Sequence, residues 1–239
     1  MAALVRLLAP LGIAAPAVRT AVSRMVRQGW LEPVRLASGP GYALTPKAAR
    51  RLDEAAARVY RTSKHQWTGR FDLILLDPPR RRPARARLAS GLAYLGYGCI
   101  DDRVWISPRA HDEVAAYLAE AGVRYDRFTA THKHPDGDAA ALVRRAWDLP
   151  ALARAYEQFV ADLTPVVAGV RPRGNDEAAY TARFRLVHAW RTFLFRDPQL
   201  PPALLPSPWP GTAAAAFFDR YAARLRPAAD RFVNRCLEA

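Results

Sequence analysis

Residues 15–42, with the sequence APAVRTAVSRMVRQGWLEPVRLASGPGY, decide the fold of the N-terminal part of the chain. Valine and methionine recur at helical spacing at positions 18, 22, 25 and 26, which predicts an amphipathic helix over residues 16–28. Pro16 suits the first turn of a helix, where its missing N–H costs nothing, and Gly29 suits a left-handed stop. An extended arm from Trp30 then turns back at residues 38–41, which predicts a β-hairpin directly after the helix.

The polar side of this predicted helix carries arginines and hydroxyls, which are suited to duplex DNA. Arginine reads base edges in the major groove, and both residue types bind phosphates. A helix of this kind followed at once by a hairpin is the outline of a recognition helix and wing. The alternative is a solvated helix face in front of an ordinary hairpin. The predicted DNA-binding residues are Arg19, Thr20, Ser23, Arg24, Arg27 and the wing residue Arg35.

Length, composition and charge favour a multi-domain protein with a polyanionic partner. The chain has 239 residues, of which 51% are apolar and 24% charged, as in globular proteins. Its net charge of +14 divides into +8 in residues 1–66, +2 in 67–136 and +4 in 137–239, so the basic excess lies with the predicted recognition helix. The sequence shows neither a signal peptide nor an apolar run of about 18 residues. With two distant cysteines, it predicts a cytoplasmic protein without disulfides or a membrane partner.

The periodicity of the remaining chain predicts an α+β protein with three domains. A helix is predicted from residue 46 to residue 61, and a β-α-β-β-α-β order typical of ferredoxin-like domains follows. The predicted strands of that domain cover 71–76, 97–100, 104–107 and 123–131, and its helices cover 80–95 and 108–121. Further helices are predicted over 139–146, 149–170, 177–195 and 212–237, the last after a proline-rich connector. The predicted domains are residues 1–66, 67–136 and 137–239.

Motifs for catalysis are weak in this sequence. Asp77, at the end of a predicted strand, resembles the metal-binding aspartate of ferredoxin-like CRISPR nucleases, so a metal-dependent nuclease is an alternative function. One carboxylate alone cannot assemble a two-metal site. Residues 132–138, with the sequence HKHPDGD, have the spacing of a metal loop, but a solvated loop is the favoured interpretation. The sequence therefore predicts no catalytic residues, no metal and no enzyme activity.

A basic run and a set of aromatic residues are candidates for ligand binding. The basic run suits the phosphates of an acyl-CoA, although a solvated helix face remains an equal alternative. Most C-terminal aromatic residues are expected in the core, and a minority could line an apolar pocket for an acyl ring. The predicted effector-binding residues are Arg80, Arg81, Arg82, Arg85 and Trp190.

Several blocks of sequence resemble the PaaX family of transcriptional repressors and keep their order along almost the whole chain. The blocks are LLAPLG at residues 7–12, VRTAVSRMV at 18–26, GWL at 29–31, YALT at 42–45, WISP at 105–108, WDL at 147–149, WR at 190–191, DP at 197–198, LLP at 204–206 and WPG at 209–211. The resemblance implies an N-terminal winged helix-turn-helix, a middle Cas2-like domain and a C-terminal helical domain. It also implies a homodimer without a cofactor that represses phenylacetate-type catabolic genes and is released from its operator by an aryl-CoA such as phenylacetyl-CoA.

Two departures from the family pattern concern the DNA-binding domain. Family members begin earlier, so this chain is expected to start within the second helix, with the first helix of the domain missing. The wing segment 35–42 is also less basic than the family pattern. A truncated regulator that has lost operator binding is therefore a further alternative.

Overall fold

The computed structural model describes residues 1–36, 39–59, 67–133, 139–171 and 174–238 of the chain. These residues form a mixed α/β structure that divides into two compact units. The first unit contains Met1–Ser63, Phe159–Trp190 and Ala215–Ala239, and the second contains Lys64–Gln158 and Arg191–Ala214. The division into domains at residues 66 and 136 stays a prediction.

Helices and strands follow one another in an order close to the predicted one. The helices are α1 (Ala2–Leu8), α2 (Ala15–Arg27), α3 (Pro46–Val59), α4 (Arg82–Tyr94), α5 (Glu113–Glu120), α6 (Ala139–Ala146), α7 (Leu149–Ala168), α8 (Asp176–Trp190) and α9 (Pro210–Glu238). The strands are β1 (Leu31–Leu36), β2 (Gly39–Leu44), β3 (Phe71–Leu76), β4 (Gly98–Cys99), β5 (Val104–Ser107) and β6 (Tyr125–Ala130). In the described ranges, no helix combines the length and apolar character needed to cross a membrane.

Helix α2 and a β-hairpin directly after it lie where the sequence predicts them, but β2 already begins at Gly39, within the predicted turn at residues 38–41. Pro16 lies in the first turn of α2, and Gly29 adopts a φ of +69° just after the helix, where side chains rarely fit. The hairpin strands are antiparallel, with Leu31 opposite Leu44. Local turn residues and apolar spacing are thus sufficient to produce this helix and hairpin.

The apolar stripe of α2 is narrower than the sequence predicts. Val18 and Val22 are buried and Val26 is partly buried, which is a single row with a spacing of four residues. Met25, which also belongs to the predicted apolar stripe, is 42% exposed. The reason is that Met25 lies at the margin of the valine row, where no neighbouring element covers it completely.

The second unit is built on a four-stranded antiparallel sheet with the order β4-β5-β3-β6. Its elements follow as β3-α4-β4-β5-α5-β6, which is the predicted order. One face packs against α4 and α5 through residues such as Leu92 and Leu118. The other face packs against α6 and the proline-rich connector, through Val143 and Leu204. Because both faces are covered, β3 has the near-continuous apolar sequence FDLILL.

Asp72 is a buried carboxylate within this sheet, with 7% of its surface exposed. The Nε of Arg127 donates to both Asp72 oxygens, at 2.9 and 3.1 Å, and the Tyr97 hydroxyl donates to Oδ2. Arg127 also donates through Nη2 to the carbonyl oxygen of His111, at 3.1 Å. Burial, and the hydrogen bond to Asp72, raise the pKa of Tyr97 above its usual value. The buried charge pair is therefore hydrogen-bonded on both sides, as such a pair needs to be.

Two helices are shorter in the structure than the sequence predicts. Helix α5 begins at Glu113 rather than at residue 108, because Arg109 is drawn into other contacts: its N–H donates to Ser107 Oγ and its guanidinium donates to the Gln199 carbonyl at 3.0 Å. Helix α8 ends at Trp190, and the residues up to 195 form a 3₁₀ turn. These ends depend on tertiary contacts that helical periodicity does not contain.

The helical part of the first unit combines aromatic packing with an exposed charge cluster. Trp190 stacks on Phe218 with ring centroids 4.9 Å apart. At the start of α8, Asp176 pairs with Arg231 and Arg235 of α9 at 2.7 and 2.6 Å. Hydrogen bonds from these two arginines lower the pKa of Asp176. The contacts join the first turn of α8 to the last turns of α9.

Candidate nucleic-acid interface

Five of the six predicted DNA-binding residues lie on the exposed side of α2. They are Arg19, Thr20, Ser23, Arg24 and Arg27, and every one of these side chains is exposed. Because Arg19, Ser23 and Arg27 are spaced by four residues, they form one row along the helix, about 12 Å from end to end. Val18 and Val22, which lie about 100° around the helix from this row, are buried and anchor the helix, so the charged side is left for a partner.

The arginines of α2 have their donors available. Within the described part of the chain, the side chains of Arg19, Arg24 and Arg27 have no hydrogen bond or ion pair. The Thr20 hydroxyl donates to the carbonyl oxygen of Pro16 at 3.0 Å and can still accept. Three uncompensated guanidinium groups on one short helix attract phosphate and can read guanine edges.

Thr45 ties the end of α2 to the hairpin and to α3. Its hydroxyl donates to the Gly29 carbonyl at 2.8 Å and accepts the Ala48 N–H at 3.3 Å. Its own N–H donates to the Trp30 carbonyl at 3.2 Å. The Lys47 ammonium lies 5.3 Å from the centroid of the Trp30 ring, within cation–π range. These contacts hold the hairpin in a fixed position beside α2.

Arg35 is placed on β1 close to the end of the hairpin. It is exposed and lies opposite Pro40. Of the predicted turn at residues 38–41, residue 38 lies outside the described residues. Arg35 has no partner among the residues that the structure describes, so it is available to a phosphate.

Arg6 makes a long-range contact that the sequence analysis missed. Its Nε and Nη2 both donate to the carbonyl oxygen of Cys236, at 3.2 and 2.7 Å. A cation is favourable there because the last carbonyls of a helix carry partial negative charge. The two residues are 230 positions apart, so no local sequence signal could have indicated the contact. The contact attaches α1 to the end of α9 within the first unit.

The four arginines predicted to bind effector phosphates lie together in the second unit. Arg80, Arg81 and Arg82 are exposed and have no partner within the described ranges. Arg85 is exposed in the first turn of α4, where its Nε donates to the Pro79 carbonyl at 3.4 Å. These four arginines form one basic surface. The binding of an effector to this surface stays a prediction.

Trp190, the fifth predicted effector residue, is a core residue of the first unit. It is 5% exposed, and its ring is stacked on Phe218 and lies 5.2 Å from the Phe159 ring. A ligand would have to displace these rings to reach it. Trp190 belongs to the first unit and the four arginines belong to the second.

The aspartate that suggested a nuclease is engaged by cations. Asp77 Oδ1 lies 3.0 Å from Arg103 Nη2, and Asp77 Oδ2 lies 3.0 Å from Arg124 Nη2. Across the described ranges, no group of three or more His, Cys, Asp or Glu side chains could hold a metal ion. Residues 134–138 of the predicted metal loop lie outside the described residues. The geometry around Asp77 does not favour a two-metal mechanism.

Comparison with protein families gives the class of this protein. The PaaX-like protein family matches residues 1–48, the PaaX protein central Cas2-like domain matches residues 64–142, and the PaaX-like protein C-terminal domain matches residues 147–235. These three matches follow one another along the chain, which belongs to the PaaX family. The homology of the chain to a transcriptional repressor supports a regulator without enzyme activity.

Individual relatives agree with this assignment. The chain is 28% identical to Transcriptional repressor PaaX of Escherichia coli (strain K12) over 242 residues, which cover 98% of this chain and 76% of that protein. Among solved structures, the uncharacterized protein Rv0674 from Mycobacterium tuberculosis matches with 24% identity and a TM-score of 0.65, covering 96% of this chain and 89% of that one. This structural likeness supports the fold.

Proposed function

We propose that the protein is a DNA-binding transcriptional repressor in which α2 is the recognition helix and the β1–β2 hairpin is the wing of a winged helix-turn-helix domain. The observation that carries the proposal is the exposed, unpaired arginine face of α2 in a chain of the PaaX family. The antiparallel order β4-β5-β3-β6 supports a ferredoxin-like, Cas2-like middle domain. The repressor acts in the cytoplasm as a homodimer, whose two-fold symmetry suits a palindromic operator.

Individual residues of the interface have different expected roles. Arg19 or Ser23, in the row facing outward from α2, contacts a base edge in the major groove. Arg27 and Arg35 bind phosphates, where they add affinity without sequence preference. Thr20 and Arg24 complete the contact surface of α2. This division predicts which substitutions change specificity and which change affinity alone.

The regulated genes and the effector follow from the family. We propose that the repressor controls aromatic, phenylacetate-type catabolic genes and is released by an aryl-CoA such as phenylacetyl-CoA. The exposed arginines Arg80, Arg81, Arg82 and Arg85 supply positive charge for the phosphates of that ligand. Release requires the effector to bind one dimer geometry more tightly than the DNA-bound geometry.

Binding of the purified protein to DNA upstream of its own and neighbouring genes tests the proposal. Fluorescence anisotropy with labelled duplexes is measured at one fixed salt concentration, with and without phenylacetyl-CoA, because phosphate contacts make affinity salt-dependent. We expect sequence-specific binding that the thioester releases. Salt-sensitive binding without sequence preference or ligand effect would contradict the proposal and support a regulator that has lost operator recognition.

Matched variants then test the assigned roles. Arg19→Ala is expected to cost about 1–3 kcal/mol on the specific site and less on random DNA, whereas Arg27→Ala should weaken both equally and reduce the salt slope by about one. Arg154→Ala in α7 is the control, because Arg154 is also exposed and unpaired among the described residues. An equal loss on both duplexes for Arg19→Ala would exclude its base-reading role.

A further inference from the structure

Two arginines from separate turns converge on the Asp77 carboxylate just after β3. Arg103 precedes β5 and Arg124 precedes β6, and each places Nη2 at 3.0 Å from a different Asp77 oxygen. Backbone hydrogen bonds hold both arginines in register, since the Leu76 N–H donates to the Arg103 carbonyl and the Asp77 N–H donates to the Arg124 carbonyl. The two guanidinium groups therefore converge on one small oxyanion.

Further arginines lie at the same end of the sheet. Arg85 links the adjacent loops, because its Nε donates to the carbonyl of Pro79 and its Nη1 lies 4.0 Å from Asp102, the neighbour of Arg103. We define the arginine cluster as Arg80, Arg81, Arg82, Arg85, Arg103 and Arg124. Among the described residues, the acidic ion-pair partners of this cluster are Asp77 and Asp102, so its six arginines keep an excess of positive charge.

Asp77 holds its arginines only weakly. The Asp77 side chain is 48% exposed and that of Arg124 is 90% exposed, so water and salt screen the ion pair. A phosphate group carries more negative charge than a carboxylate and matches the fork geometry of guanidinium groups. A phosphate can therefore replace the Asp77 carboxylate between Arg103 and Arg124.

We propose that the arginine cluster is a binding site for a phosphate-bearing ligand, and that Asp77 is an internal competitor that occupies Arg103 and Arg124 when the ligand is absent. The site includes the arginines proposed above to bind the effector. Only the identification of the ligand as a CoA thioester rests on the proposed function. The backbone of duplex DNA presents the same phosphate chemistry. The experiment therefore includes both sources of phosphate, with coenzyme A and a random-sequence duplex titrated under the same conditions.

Isothermal titration of the full chain with coenzyme A and with tripolyphosphate, at one fixed ionic strength, tests the competitor role. Asp77→Asn keeps the shape of the side chain and removes its charge, so we expect the affinity for both probes to rise about three- to tenfold. Glu157→Gln is the matched control, because it removes one negative charge from an exposed position of α7. This control should change affinity by less than about twofold, as expected for a distant screened charge.

Joint substitution of Arg103→Gln and Arg124→Gln tests the other half of the site. We expect affinity for both probes to fall by about tenfold or more, because two charge-assisted contacts are lost. Arg154→Gln in α7 is the control for an arginine lost elsewhere. Circular dichroism confirms that the double variant is folded, and the rise expected for Asp77→Asn cannot be produced by unfolding.

The outcomes test three questions independently: whether the site exists, which ligand supplies the phosphate, and whether the proposed repressor function is correct. An unchanged affinity of Asp77→Asn for coenzyme A, tripolyphosphate and a random duplex alike, or an equal rise in Glu157→Gln, would overturn the proposal. A rise with coenzyme A supports an effector site, whereas a rise confined to a random duplex supports the same site with nucleic acid as its ligand. Operator binding by the unaltered chain in the same buffer reports on α2, so failure of the repressor function is detected separately.

Discussion

The substitution Asp72→Asn removes the buried negative charge that Arg127 and Tyr97 share in the sheet of the second unit. The carboxylate accepts two hydrogen bonds from Arg127 Nε and one from the Tyr97 hydroxyl. Asparagine has the same shape but offers one acceptor oxygen and no charge. The Arg127 guanidinium then keeps its hydrogen bond to the His111 carbonyl but loses its charged partner.

The expected cost follows from the burial of this pair. Removing one partner of a fully buried ion pair costs about 3–5 kcal/mol, because the remaining charge stays desolvated. The Arg127 side chain is 28% exposed, so water screens part of its charge. We therefore expect the free energy of unfolding to fall by about 2–4 kcal/mol. With a urea dependence of about 2 kcal/mol per molar, the midpoint should fall by about 1–2 M.

Urea denaturation followed by circular dichroism and by tryptophan fluorescence measures this change. Asp126→Asn on β6 is the control, since Asp126 is exposed, and it should stay within about 0.5 kcal/mol of the unaltered chain. Adding Arg127→Gln to Asp72→Asn removes the orphaned charge and should restore about 1 kcal/mol or more relative to additivity. A loss below about 1 kcal/mol for Asp72→Asn, or additive effects in the double variant, would refute the reasoning.

Two further substitutions test contacts of the first unit. Thr45→Val removes the hydroxyl that is hydrogen-bonded to Gly29 and Ala48. Thermal melting should then show a stability lower by about 1 kcal/mol, and fluorescence anisotropy should show weaker DNA binding. Thr45→Ser keeps the hydroxyl and should retain both properties. Asp176→Asn should lower the melting temperature at neutral pH, because two arginines of α9 hold the pKa of Asp176 below its usual value. The stability that the Asp176 charge contributes is present above the ordinary aspartate pKa and is lost as pH falls through the lowered pKa. The melting temperatures of the unaltered chain and of Asp176→Asn should therefore converge in acid. A difference in melting temperature that stays constant with pH would contradict this reasoning.

Elements with local signals could be predicted from the sequence. Helix α2 was predicted over residues 16–28 and is found over Ala15–Arg27, because the spacing of its valines and the turn residues at both ends lie within the segment itself. The strands β3, β5 and β6 were predicted for the same reason, since turn residues bound short apolar runs. The exposed positions of α2 follow from the same periodicity, and therefore the candidate DNA-binding residues did not require the structure.

Features that depend on distant residues could not be predicted. Arg103 lies 26 residues from Asp77, and its convergence with Arg124 on that carboxylate requires the assembled sheet. The attachment of Arg6 to α9 likewise depends on the two ends of the chain meeting in one unit. Trp190 appeared as a candidate ligand contact because aromatic residues fit both pockets and cores, and only packing distinguishes the two.

Asp77 illustrates how neighbouring charges decide what an aspartate can do. At the end of a strand, a carboxylate suits a divalent cation only when further carboxylates or imidazoles surround it. Here the nearest charged groups are the guanidinium groups of Arg103 and Arg124, which would repel a cation at the same distances at which they attract an oxyanion. The same aspartate position that suggests metal chemistry in the sequence therefore belongs to a surface that favours phosphate. The charges that surround a residue, and not its type alone, determine the partner that it can bind. The arginines of α2 follow the same rule, because their side chains have no acidic partner among the described residues and are available to phosphate.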